Sequence, residues 1–121
     1  MAKHNDLGHK GEEFAVKYLK EKGYHIRETN WRDGKLELDI IAETDNRLII
    51  AEVKTRYSDY ISQPTDAITN TKIRNIVKAT DHYIKMNNID KEVRFDIISL
   101  VKQQNSFKIE HIEDAFIAPV N

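Results

Sequence analysis

The chain has 121 residues, 40% of them hydrophobic and 32% charged, with 19 Lys plus Arg against 20 Asp plus Glu and a net charge of −1. That size predicts one domain over residues 1–121 with a core of its own, and the near-balance of charge argues against tight nonspecific nucleic-acid binding, though a basic patch beside an acidic cluster stays open. Zero cysteines exclude disulfides, thiolate metal sites and cysteine nucleophiles; with no apolar run of the roughly 20 residues a membrane span needs and no apolar core in Met1-Ala2-Lys3-His4-Asn5-Asp6, the expected location is the cytoplasm.

Asn5 or Asp6 caps a first helix expected from about Leu7 to Lys22, and Gly23 stands where a glycine ends a helix. Phe14, Ala15, Tyr18 and Leu19 form its apolar stripe. Glu12 borders that stripe, and with Glu13 it suits the positive end of the helix dipole. Tyr24 to Trp31 reads as extended, and Arg32-Asp33-Gly34-Lys35 as a hairpin turn centred on Asp-Gly. A second strand runs from Leu36 to Glu43. After a turn at Thr44-Asp45-Asn46-Arg47, a third covers Leu48 to Thr55, its continuous apolar start predicting a central position.

Tyr57 to Gln63 reads as a polar loop, with Pro64 near the start of a second long helix. Ile68, Ile73, Ile76, Val77, Thr80, Tyr83 and Ile84 keep helical rhythm up to Asn87-Asn88. Val93 to Val101 and Phe107 to Ile112 are the last two strands. The order α-β-β-β-α-β-β predicts an α/β fold, a mixed central sheet flanked by helices, with the second helix as a parallel crossover.

Strict alternation puts Glu37 and Asp39 on one face of the second strand and Leu38 and Ile40 on the other. Glu52 and Lys54 share a face of the third strand, and the short turn makes the two strands neighbours. Two carboxylates about 5 Å apart repel by roughly 3 kcal/mol at an effective dielectric near 20. A divalent cation compensates that charge, and Mg²⁺ accepts one or two carboxylates plus waters and phosphate oxygens. Lys54 is the other compensating charge, placed to hold or deprotonate an attacking water or to stabilise a charged transition state. The same residues also read as a solvated sheet face with cross-strand ion pairs. Against that stands their setting in apolar strands, where uncompensated charge is costly.

Asp39, a twelve-residue gap and Glu52-Val53-Lys54 resemble the D…ExK signature of the restriction-endonuclease-like superfamily. Gly8-x-x-Gly11-Glu12-x-x-Ala15, Tyr18-Leu19, Gly23-Tyr24, Asn30-Trp31-Arg32, Glu37 to Ala42, Glu52 to Arg56, Pro64 with Ala67, and Lys72 together resemble the bacterial YraN family, which is similar to archaeal Holliday-junction resolvases. The resemblance implies a nuclease-like core with Mg²⁺ (or Mn²⁺) held by Asp39, Glu52 and the carbonyl of Val53. It implies Lys54 as the catalytic lysine and Glu12 as a further acid. Glu37 becomes either an extra ligand or a structural ion-pair partner.

Gln63 is a candidate contact to substrate or to a metal-bound water, against a simply solvated loop residue. Arg56, Lys72 and Arg74 are candidates for phosphate contacts, against a solvated face. Arg94 and Asp96 read as a structural pair near the sheet edge, and Trp31 as a core cover rather than a base-stacking residue. The five histidines show no ligand spacing. The expectation is a metal-dependent endonuclease acting on DNA, branched or otherwise structured, working as a homodimer as the resolvases do. The alternative is a nucleic-acid-binding accessory module that does not cleave on its own.

Overall fold

The computed structural model describes residues 3–57 and 68–118. Helix α1 (Lys3–Glu21) is followed by β1 (His25–Asp33), β2 (Leu36–Glu43) and β3 (Arg47–Tyr57), then helix α2 (Asn70–Asn87), β4 (Glu92–Lys102) and β5 (Phe107–Phe116). The strands form one sheet in the order β1-β2-β3-β4-β5. Only β3 and β4 pair parallel, with α2 as the crossover, and the other neighbours are antiparallel. This is the expected α/β layout, with β3 in the middle of the sheet. No helix among the described residues is long and apolar enough to cross a membrane.

The helix ends follow from local chemistry. Gly23 takes φ +94, its amide donates to the carbonyl of Lys20 at 2.9 Å, and the Tyr24 amide donates to that of Leu19 at 3.0 Å. This paired closure satisfies two carbonyls that the helix leaves open. Asn88 does the same for α2, in left-handed conformation at φ 54 with Ile89 donating to the carbonyl of Ile84. The starts differ from expectation. Helix α1 already runs from Lys3, so Asn5 and Asp6 lie inside it: capping is a preference, and Lys3 and His4 contain nothing that breaks a helical turn. Helix α2 starts at Asn70, where the Thr69 side chain accepts from the Lys72 amide, so Ile68, counted in the helical rhythm, precedes the helix. Pro64 and Gln63 lie outside the described residues.

The first hairpin also turns one position later than expected. Asp33 pairs with Leu36, leaving Gly34 and Lys35 as the two turn residues. Gly34 alone takes a positive φ, +62, at the first turn position, where a two-residue hairpin favours glycine.

Each face of the sheet buries its own core. Ala15 and Leu19 of α1 pack on Ile40, Ala42, Ile49, Ala51, Ile98 and Leu100. Ile76, Ala79 and Tyr83 of α2 pack on Leu38, Ile41, Leu48, Ile50 and Phe95. Trp31 leans on this second core with its ring edge-on to Tyr83 at 5.2 Å, the cover role expected for it. Strand β3 is buried from Leu48 through Glu52 because helices cover it on both sides.

Candidate functional site

Strands β2 and β3 run paired only from Glu43↔Leu48 to Ile40↔Ala51. Beyond that point β2 stays with β1 as far as Leu36, and β3 stays with β4 to its end. The two strands therefore part at Asp39 and Glu52. Carboxylates take over from the ladder at this fork. The Val53 amide donates to Asp39 Oδ2 at 2.9 Å, and the Asp39 amide donates to Glu52 Oε2 at 3.4 Å. Each acid thus satisfies the opposite strand's amide, which would otherwise lack a partner. A residue's amide and carbonyl lie on the same side of an extended strand, so the Val53 carbonyl also faces the fork.

Alternation fails at this position. Leu38 packs in the α2-side core and Ile40 in the α1-side core, so they do not share a face. The neighbouring strand shows why. Asn30 lies opposite Asp39, between the pairs Thr29↔Ile40 and Trp31↔Leu38, and takes a left-handed φ of 51. With its neighbour kinked and the ladder to β3 ended, β2 is free to rotate there. Glu52 and Lys54 do share the α2 face, in step with the buried Leu48 and Ile50.

A cavity of about 320 Å³ opens on the fork, lined by Glu37, Asp39 and Glu52 from the sheet and by Thr69, Thr71 and Lys72 from the start of α2. Glu52 is only 3% exposed. Burial, then the charge of Asp39, pushes its carboxyl up to about 8. Burial also raises Asp39, against the opposing pull of the Val53 amide and the charge of Lys72. Lys54 is lowered by its own burial and by the adjacent Lys72. Lys72 Nζ stands 3.7 Å from Glu52 Oε1. The fork therefore gathers two acids and two lysines in a partly dry setting. Glu37 lines the same cavity and also pairs with Arg32 at 3.3 Å, so the ion-pair role holds for it.

Glu12 reaches the border of this site from the other face of the sheet. A Cβ on Gly11 would stand 2.1 Å from Thr55 Oγ1, so only glycine lets α1 approach β3 this closely. Glu12 follows directly, and the Asn30 side-chain amide donates to its Oε1 at 3.1 Å. Burial raises the Glu12 carboxyl, the Asn30 bond opposes that, and the charges of Asp39 and Glu37 add to the rise. Glu12 and Asn30 line a separate groove of about 720 Å³ between α1 and β1.

The predicted phosphate contacts separate. Lys72 belongs to the fork, while Arg74 is exposed and lines no wall of its cavity, and Arg56 lies farther along β3. Arg94 and Asp96 form the expected pair, joined by two bonds of 2.9 and 2.8 Å. It is not a rim feature: Asp96 is fully buried and also accepts from His111 Nε2 at 2.7 Å. Sequence reasoning missed His111, and it missed Asn30 as the partner of Glu12. An asparagine in an otherwise β-forming run was the available sign of a left-handed position.

Asp39, Glu52 and the Val53 carbonyl are hard oxygen donors, the kind that Mg²⁺ or Mn²⁺ takes together with waters. Their raised carboxyl pKa values mark a site short of positive charge, which a divalent cation fits. Among the described residues, no group of three or more His, Asp or Glu side chains converges as a ligand set. Among the described residues, the side-chain donors at the fork are the carboxylates of Asp39 and Glu52, with Glu37 in the cavity wall.

Comparison with known proteins places this geometry in context. A family model described as "Uncharacterised protein family UPF0102" matches residues 11–100. The chain is similar to a "UPF0102 protein" of Phocaeicola vulgatus, 52% identical over 120 residues and 99% of both chains. It is likewise similar to one of Bacteroides thetaiotaomicron, 49% identical over 99% of both chains. A third, from Porphyromonas gingivalis, is 45% identical over 96% of this chain and 87% of its own. The matched span contains Glu12, Asn30, Asp39, Glu52, Lys54 and Lys72.

Proposed function

The chain belongs to the uncharacterised protein family UPF0102, the YraN family, and we propose that it hydrolyses phosphodiester bonds in DNA, branched or otherwise structured, with Mg²⁺ or Mn²⁺. The observation that carries this reading is the fork. Two carboxylates raised by burial, Glu52 further by the charge of Asp39, face each other where a ladder ends, with Lys54 beside them. A sheet face meant only for solvent has no reason to bury Glu52 in this way.

In this reading Asp39, Glu52 and the Val53 carbonyl hold the ion. The ion, when bound, supplies charge stabilisation at the phosphate and a more acidic water. Lys54, whose charged form is disfavoured by burial and by Lys72, orients the attacking water and, as the neutral amine, takes up its proton as the new P–O bond forms, while the scissile bond breaks and the leaving oxygen is protonated from solvent. Glu12, at the border, orients a water on the open side. The protein acts as a homodimer, one site for each strand cut.

A second reading, an accessory module that binds nucleic acid without cutting, is favoured by the net charge of −1 and the lack of a third convergent acid among the described residues. The test is incubation with four-way junction, flap, single-stranded and duplex DNA in Mg²⁺ or Mn²⁺. Cleavage that needs metal and vanishes in Asp39→Ala and Lys54→Ala supports the enzyme. DNA binding without cleavage supports the module.

A further inference from the structure

Helix α2 breaks a local rule at its start. No acid stands in its first turn, and a lysine, Lys72, occupies that turn instead. Cations are disfavoured there, because the helix N-terminus is itself positive. Residues that violate a local rule while contacting a buried charge tend to mark function. Lys72 does contact one: its ammonium lies 3.7 Å from Glu52 Oε1, and Glu52 is 3% exposed. Lys72 is itself half-exposed, with a flexible stem, in the wall of the fork cavity.

The charges around Glu52 give this placement its meaning. Asp39 and Glu52 carry two negative charges when ionised, and Lys54 and Lys72 carry two positive ones. In the empty fork Lys72 offsets only part of that charge. Adding a divalent ion sets a like charge beside both lysines, and of the two only Lys72 lines the open cavity. Lys72 is the cation that can swing away.

We infer that Lys72 is an exchangeable counter-ion, which pairs with Glu52 while no metal is bound and moves to a phosphate of the nucleic acid once metal takes its place. The inference rests on the metal-dependent reading above. It gives Lys72 two partners in succession, where a simple phosphate contact has one.

The two partners give opposite signs in one variant. Lys72→Met keeps the stem and removes the charge. Titrating the full chain with MnCl₂ by calorimetry, we expect Lys72→Met to bind Mn²⁺ about tenfold more tightly than the parent, since a like charge beside the ion has gone. In gel shifts with a four-way junction in Ca²⁺, Lys72→Met binds DNA several-fold more weakly than the parent, and without divalent ion the two bind alike. Lys72→Arg, which keeps the charge, stays close to the parent in both measurements and guards against a folding defect. Unchanged or weaker Mn²⁺ binding in a folded Lys72→Met overturns the exchange and leaves the metal site standing. Loss of DNA affinity in the absence of divalent ion also overturns it, reducing Lys72 to a plain phosphate contact. No Mn²⁺ binding by the parent rejects the metal site itself, and the exchange with it.

Discussion

The sheet buries two sets of carboxylates, one on each face, and they are solved in opposite ways. On the α1 side, Asp96 is fully buried, and both its oxygens are saturated. Oδ1 accepts from Arg94 Nε at 2.9 Å and from the Asp114 amide at 3.0 Å, while Oδ2 accepts from Arg94 Nη2 at 2.8 Å and His111 Nε2 at 2.7 Å. A second tier holds the donors: the Tyr24 hydroxyl accepts from Arg94 at 2.7 Å, and the Tyr18 hydroxyl lies 3.1 Å from His111 Nδ1. Burial alone would raise Asp96, yet these partners hold it below the usual carboxylate range. At the fork, burial wins and Glu52 rises to about 8. The same fold knows how to compensate a buried acid and does so at Asp96. At Glu52 that compensation is incomplete, and the proposed metal-dependent function uses the difference.

The largest expected effect breaks the compensated set. Arg94→Ala leaves Asp96 buried without its two-pronged partner and should cost about 3–5 kcal/mol of stability. Glu52→Gln should do the reverse in metal-free buffer above pH 8, where the Glu52 carboxylate is ionised, raising stability by about 1 kcal/mol, because it deletes a buried charge with too few partners. Urea unfolding of both variants checks the pair. Equal losses in the two would mean that the fork is as structural as the Asp96 cluster.

Acidity sharpens the same contrast. Asp96 is held below its ordinary value of 3.8, so its contribution is fully present above that value and is lost as pH falls through the lower folded value. Glu52 runs the other way. Its folded pKa of about 8 exceeds the ordinary 4.5, so the folded state holds an extra proton between them, and stability falls as pH rises across that window. Metal-free protein should therefore lose stability from pH 5 to pH 8, and Glu52→Gln should flatten that slope. A slope unaltered in the variant would place its origin elsewhere.

Much of this contrast was legible in the chain, and the remainder was not for definite reasons. Asp39 and Glu52-x-Lys54 stood out because charges interrupt apolar strands, and the turn at residues 44–47 made those strands neighbours. The face assignment at Leu38 and Ile40 failed because alternation assumes a regular ladder, whereas β2 loses β3 at Ile40 and faces a left-handed Asn30. Lys72 read as a candidate phosphate contact or a solvated helix residue rather than a partner of Glu52, which is distant in sequence and meets it only when α2 packs on the sheet. His111 was invisible for a similar reason: an isolated histidine has no ligand spacing, and only the β4–β5 pairing carries it to Asp96.

A middle-sized effect tests how Glu12 is brought to the fork. Gly11→Ala forces a methyl into the Thr55 side chain and should destabilise by about 1–3 kcal/mol. Trimming the obstacle with Thr55→Ser should recover only part of this, because Oγ1, the nearest atom to the added methyl, is retained. Thermal melts of the single and double variants decide it. Additive losses would mean that the helix does not rest on Thr55.

The smallest effect separates the two duties of Asn30, one of backbone and one of side chain. Its φ of 51 disfavours most residues, and an alanine there should cost about 1–2 kcal/mol. Glycine tolerates that conformation, so Asn30→Gly should leave stability within a few tenths of a kcal/mol to about 1 kcal/mol while still deleting the bond to Glu12. If Asn30 serves only to kink β1 opposite Asp39, Asn30→Gly leaves metal-dependent cleavage intact. If it also aims Glu12, that variant loses cleavage without losing its fold, and adding Glu12→Gln makes matters no worse, because both changes disable one carboxylate. Independent losses in the double variant would uncouple the pair and reduce Asn30 to a backbone device.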